Sequence, residues 1–171
     1  MIDAGVLTTE DRVELIDGEI VTVTPQKSRH ATAVSLAETA LRHAFHEHYH
    51  VRSQLPLALD ATSEPEPDVA VVASAVRDYR DAHPSTALLV VEVADTPLEF
   101  DRTRKASLCA RAGIADYWVV NLVDAMVEVH RNPQQSASGW RYASVERYKA
   151  GDPIAPLARP DRFIAVDDLL P

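Results

Sequence analysis

The sequence predicts an α/β fold, α+β under a stricter definition, with a mixed central sheet flanked by helices. Three observations carry this expectation. The runs DVAVVA (68–73) and ALLVVEVA (87–94) have the unbroken, Val-rich apolar character of central strands covered on both faces. Two segments dominated by helix formers, His30 to about Tyr49 and Leu98 to Ala112, stand before and after those strands. A series of further β-forming stretches follows from residue 115 onward.

Taken in order, VELIDGEIVTVT (13–24) places two short β-forming runs around Asp17-Gly18, a dipeptide suited to a tight hairpin turn. From His30, apolar or small residues recur at Val34, Ala37, Leu41, Ala44, Phe45 and His48, the stripe of an amphipathic helix. VRSQLPLAL (51–59) reads as a strand whose Pro56 marks an edge or a bulge. RDYRDAHPST is polar and forms the surface connection between the two central strands. The helix that follows Pro97 stops at Gly113, which accommodates the left-handed C-terminal conformation. ADYWVVNL and MVEVHRN read as two strands of a hairpin and WRYASVERY as a third. The proline-rich tail GDPIAPLARPDRFIAVDDLLP wraps the surface before a last short strand near Phe163. There is no internal repeat and no low-complexity tract.

A chain of 171 residues suits one domain, 1–171, with a real core. Apolar residues at 46% and charged residues at 25% fit a folded protein rather than a disordered one. The single cysteine, Cys109, excludes an internal disulfide, and no apolar run approaches the roughly 20 residues that span a bilayer. The expected location is the cytoplasm, with no membrane partner. A net charge of −9 weighs against a surface that attracts polyanions as a whole. Local concentrations of Arg and Lys remain open, as in the segment holding Arg80, Arg102, Arg104 and Lys105.

The chemically informative feature is acid in apolar strands. Asp68 opens one central run and Glu92 lies inside the next. A buried carboxylate is costly unless it is protonated, paired or bound to a metal. If the two strands are neighbours, both acids converge at one sheet margin, where Mg²⁺ would relieve their repulsion; a few hard oxygen ligands with room for water suit that ion. Lys105, in the following helix, is positioned to reach the same margin and to stabilise charge growing on a phosphate.

The segments PEPDVAVV, LLVVEVADT and FDRTRKASLCARAGIADYWVV, preceded by DRVELIDGEIV and accompanied by a following histidine, together resemble the Uma family of restriction endonucleases in the PD-(D/E)XK nuclease superfamily. The resemblance runs from about Gly5 to His130. Gly5-Val6-Leu7 and Asp11-Arg12-Val13-Glu14-Leu15 match the family's opening segment, so little of the family pattern is expected to lie upstream. The resemblance implies a restriction-endonuclease-like sheet. It implies Asp68 and Glu92 as Mg²⁺ ligands, with Mn²⁺ as a possible substitute, and Lys105 as a catalytic lysine moved from strand to helix. Ala94 stands where the strand motif would have its lysine. Glu14 matches a further site acid, and His30 matches a histidine at the start of the first helix. Cys109 departs from a tyrosine common in the family. The implied activity is hydrolysis of DNA phosphodiesters by an endonuclease, and a homodimer is expected because cutting two strands calls for two sites. The alternative is a nuclease fold that no longer cleaves and acts as a binding or regulatory module.

Other residues carry blander expectations. Glu64 and Glu66 form a solvated strand entry, and Asp95 and Asp101 cap or flank the helix after them. In HAFHEHYH, His46 and His50 have the i,i+4 spacing of a helix, but with no third ligand they mark a solvated helix end rather than a zinc site. Tyr117-Trp118 and Cys109 are core residues.

Overall fold

The computed structural model describes residues 13–23, 25–46, 48–95 and 98–171. Gly5-Val6-Leu7, Asp11, Arg12 and Pro97, used above, lie outside the described residues. The hairpin is β1 (Val13–Ile16) and β2 (Glu19–Thr22), paired antiparallel from Val13↔Thr22 to Ile16↔Glu19. Its turn residues Asp17 and Gly18 both have positive φ, 52° and 76°, the backbone twist that lets two right-twisted strands join through two residues.

Helix α1 (Ser28–Ala44) buries Ala33, Val34, Ala37, Leu41 and Ala44 along one face. It stops earlier than its apolar stripe predicts. Phe45 is already extended and inserts into the core, His48 is left-handed (φ 72°), and β3 (Tyr49–Ser53) begins at once, pairing Tyr49↔Ala73. The helical spacing of His46 and His50 is therefore not realised: His50 belongs to a strand. β3 is also shorter than expected, because Gln54 takes a left-handed φ of 53° and turns the chain before Pro56.

β4 (Val69–Ala73) and β5 (Leu89–Ala94) are adjacent and antiparallel. From β5 the chain crosses over through a short turn of helix α2 (Leu98–Phe100), a wider π-helical turn (Asp101–Lys105) and α3 (Ala106–Arg111). It returns as β6 (Asp116–Asn121), parallel to β5. The helix expected over 98–112 is thus present but broken in its middle. β7 (Met126–Ser136) and β8 (Gly139–Lys149) complete a six-stranded mixed sheet of order β3-β4-β5-β6-β7-β8. The tail forms a small pair, β9 (Pro153–Ile154) and β10 (Ile164–Ala165).

Strand alternation sorts the sheet into two faces. On one, Val69, Val71, Val91, Val93, Trp118 and Val120 pack against α1 and the tail residues Ile154, Ile164, Val166 and Leu169. On the other, Ala70, Val72, Val90, Tyr117 and Val119 meet Ala106, Cys109 and Ala110 of α3. The second face also carries Glu92 and Lys105, and the β1–β2 hairpin is fastened beside it. Leu15 O accepts the Glu64 N–H at 2.8 Å, and Ile16 O accepts from Arg104 at 3.1 Å. Among the described residues no helix is long and apolar enough to cross a membrane.

Candidate active site

Antiparallel pairing of Val69 with Val91 places the next positions outward, Asp68 and Glu92, opposite one another at the sheet margin. The two acids are tied together through the backbone. Asp68 Oδ2 accepts the Val93 N–H at 2.8 Å, and the Asp68 N–H points to Glu92 Oε2 at 3.4 Å. Asp68 Oδ1 receives His30 Nε2 from the first turn of α1 at 3.1 Å, with the Gln54 amide at 3.5 Å. Gln54 reaches there because its left-handed backbone donates to Pro67 O and Asp68 O, folding the end of β3 over the acid.

Lys105 comes from the opposite side. The π-helical turn immediately before α3 widens the helix and leaves Lys105 buried, its ammonium 3.2 Å from Glu92 Oε1 and 3.4 Å from Glu14 Oε1 of β1. The lysine missing from position 94 is thus replaced in space by one from the crossover helix. The other oxygen of Glu14, Oε2, is buried and has no hydrogen-bond partner among the described residues. From the sequence, Asp101 is expected to cap or flank the helix after it. The structure puts it inside the π-turn, one helical turn before Lys105, with its carboxyl in the field of Lys105, Asp68, Glu14 and His30.

Four carboxylates therefore face one lysine and one histidine. Burial pushes Glu92 well above the usual carboxylate range; Lys105 opposes the rise, and Asp68, Asp101 and Glu14 add to it. Burial likewise lifts Asp101 to about 6. Burial alone would weaken the charge on Lys105, but Glu92, Glu14, Asp101 and Asp68 together outweigh it and hold the ammonium protonated. The hydrogen bond that His30 donates to Asp68 raises the imidazole above its ordinary value. The site thus gathers four acids around two basic groups, and burial disfavours the charge on two of those acids, Glu92 and Asp101.

Among the described residues no three His, Cys, Asp or Glu side chains converge closely enough to hold an ion by themselves. Mg²⁺ does not need three, since it is commonly bound by one or two carboxylates with water and substrate oxygens completing the octahedron. Two hard carboxylates with further acids around them, and a buried oxygen beside them that has no partner among the described residues, fit such an ion.

Three of the basic residues singled out in the sequence, Arg80, Arg102 and Arg104, are each paired with an acid. Glu128 engages Arg102 through two hydrogen bonds, Glu19 takes Arg104 at 2.5 Å, and exposed Arg80 pairs with Asp81 at 2.8 Å. Cys109 is buried and its thiol is pushed up by that burial, as expected for a small core residue. Glu64 is half-buried and Glu66 exposed.

The fold is an α/β sheet with Asp68 immediately before β4, Glu92 on the adjacent β5 and a lysine facing them, an arrangement of the nuclease type. A family model described as "Putative restriction endonuclease", Uma2, matches residues 4–166, and the chain belongs to that family. Among solved structures it is similar to "a putative nuclease belonging to DUF820 from Anabaena variabilis ATCC 29413", with a TM-score of 0.75 and 15% identity over 98% of this chain and 94% of that one. At that identity the likeness shows the shared fold. No curated protein matches the chain.

Proposed function

We propose that the protein is a divalent-metal-dependent DNA endonuclease whose Asp68 and Glu92 hold Mg²⁺, or Mn²⁺ in its place. The observation that supports this reading most directly is the convergence of Asp68, Glu92 and Lys105 from two strands and a helix, with Lys105 Nζ 3.2 Å from Glu92. When bound, the ion supplies Lewis-acid stabilisation of the phosphoryl oxygens and acidifies water. His30 and the Val93 N–H fix the rotamer of Asp68. Lys105 offers its ammonium to an attacking water or to the charge developing on the phosphate, a contribution worth about 10²–10³ in rate for donors of this kind. Glu14 holds Lys105 in register. In-line attack by water forms one P–O bond as the bond to the leaving strand end breaks.

Purified protein with Mg²⁺ or Mn²⁺ is expected to nick supercoiled plasmid, and Asp68→Ala to abolish nicking. Equal activity in the variant would assign the cleavage to a contaminant. The net charge of −9 favours a second reading, a nuclease fold that binds without cutting. DNA retention by the wild type with no product at any metal concentration would select it. We also propose a homodimer, which light scattering would show as twice the 18.8 kDa chain mass; a monomer at micromolar concentration removes it.

A further inference from the structure

Lys105 is the cation that faces the buried acids in this structure. Its ammonium is shared between Glu92 Oε1 at 3.2 Å and Glu14 Oε1 at 3.4 Å, and Glu14 keeps a second oxygen, Oε2, buried and without a partner among the described residues. Glu14 and Glu92 are 5% and 3% exposed, so neither carboxylate is compensated by bulk water. Unit charges at such separations interact by several kcal/mol near a protein surface. A cation arriving at Glu92 therefore meets one already there. We propose that Lys105 is a tethered stand-in cation, which metal binding displaces from Glu92 onto the vacant oxygen of Glu14. Glu14 is then a positioning residue that acts through Lys105.

The inference rests on the metal reading above and adds an exchange of cations to it. It explains why a buried acid on the separate β1–β2 hairpin retains an unfilled acceptor, an arrangement that otherwise carries the full cost of desolvation. It also separates the two roles of the lysine. Paired with Glu92, it faces that acid in the metal-free site; moved to Glu14, it is free to face the phosphate.

The test is Mn²⁺ binding to the full chain, read by calorimetry and by the electron paramagnetic resonance of free Mn²⁺, with no DNA present. Lys105→Met is expected to tighten Mn²⁺ binding by at least about tenfold, since the competitor is gone. Glu14→Gln is expected to weaken binding by about tenfold when Lys105 is present and to have little effect in the Lys105→Met background. Equal weakening in both backgrounds would show that Glu14 attracts the metal by its own charge, and unchanged affinity in Lys105→Met would show that the lysine never competes; either result overturns the exchange. Lys105→Gln, which retains hydrogen-bonding groups for both acids, replaces Lys105→Met in the same cycle if the latter does not fold. The underlying metal reading fails separately, if the wild type takes up no Mn²⁺ or if uptake survives Asp68→Asn and Glu92→Gln.

Discussion

Asp116 and Glu92 are acids of neighbouring parallel strands, 0% and 3% exposed, and they are held in opposite ways. Fixed donors surround Asp116. Its Oδ1 accepts Trp118 Nε1 at 2.8 Å and Arg131 Nε at 2.9 Å, and its Oδ2 accepts the Leu157 N–H at 2.8 Å. One acid, one arginine and two N–H groups close the account locally and tie the C-terminal tail to the sheet. Glu92 instead lies among Asp68, Asp101 and Glu14 and shares a single lysine with one of them. Burial by itself does not mark a functional acid. The difference is whether fixed donors saturate it or like charges surround it.

The largest expected effect comes from breaking the saturated acid. Asp116→Ala should lose about 3–5 kcal/mol in urea unfolding, because it strands the Arg131 charge and frees the tail. Glu92→Gln should cost less than about 1.5 kcal/mol without metal, because burial and its acidic neighbours already disfavour its charge. Similar losses for the two would erase the contrast.

A smaller effect sharpens it. Mg²⁺ at about a hundred times its dissociation constant should stabilise the wild type by about 2.7 kcal/mol, seen as a higher Tm, and should not stabilise Glu92→Gln. Retained stabilisation in that variant would move the ion elsewhere.

The smallest concerns pH. Asp101 has its pKa raised from 3.8 to about 6, so the folded state favours its protonated form. The associated stability is complete below about pH 4 and is lost as pH rises through about 6. Asp101→Asn should therefore match the wild type at pH 4 and exceed it in Tm by a few degrees at pH 8. No difference at pH 8 would mean that the carboxyl is not held in the acid cluster.

Much of the architecture was legible from local pattern. The Asp17-Gly18 turn, the unbroken apolar runs of β4 and β5, the stop at Gly113 and the β6–β7 hairpin all follow from short-range preferences, and each appears in the fold. The elements that differed did so where long-range packing overrode such preferences. The stripe of α1 continues through His48, but burial of Phe45 and pairing of Tyr49 with Ala73 convert that segment to turn and strand. Gln54 gave no warning of its left-handed conformation and so was not foreseen beside Asp68. Asp101 did leave a signal, its i,i+4 spacing to Lys105, but a π-turn inside a helix has no local signature strong enough to show that both would face the acids.

By itself the sequence determined that acids would stand in strands too apolar for them, because residue type and period are local properties of the chain. Which cation answers those acids was decided only by the tertiary structure. The register of β4 against β5, the crossover that delivers Lys105 and the docking of Glu14 from a separate hairpin join residues far apart in the chain. Electrostatic energy depends on distance in space, which no separation along the chain specifies.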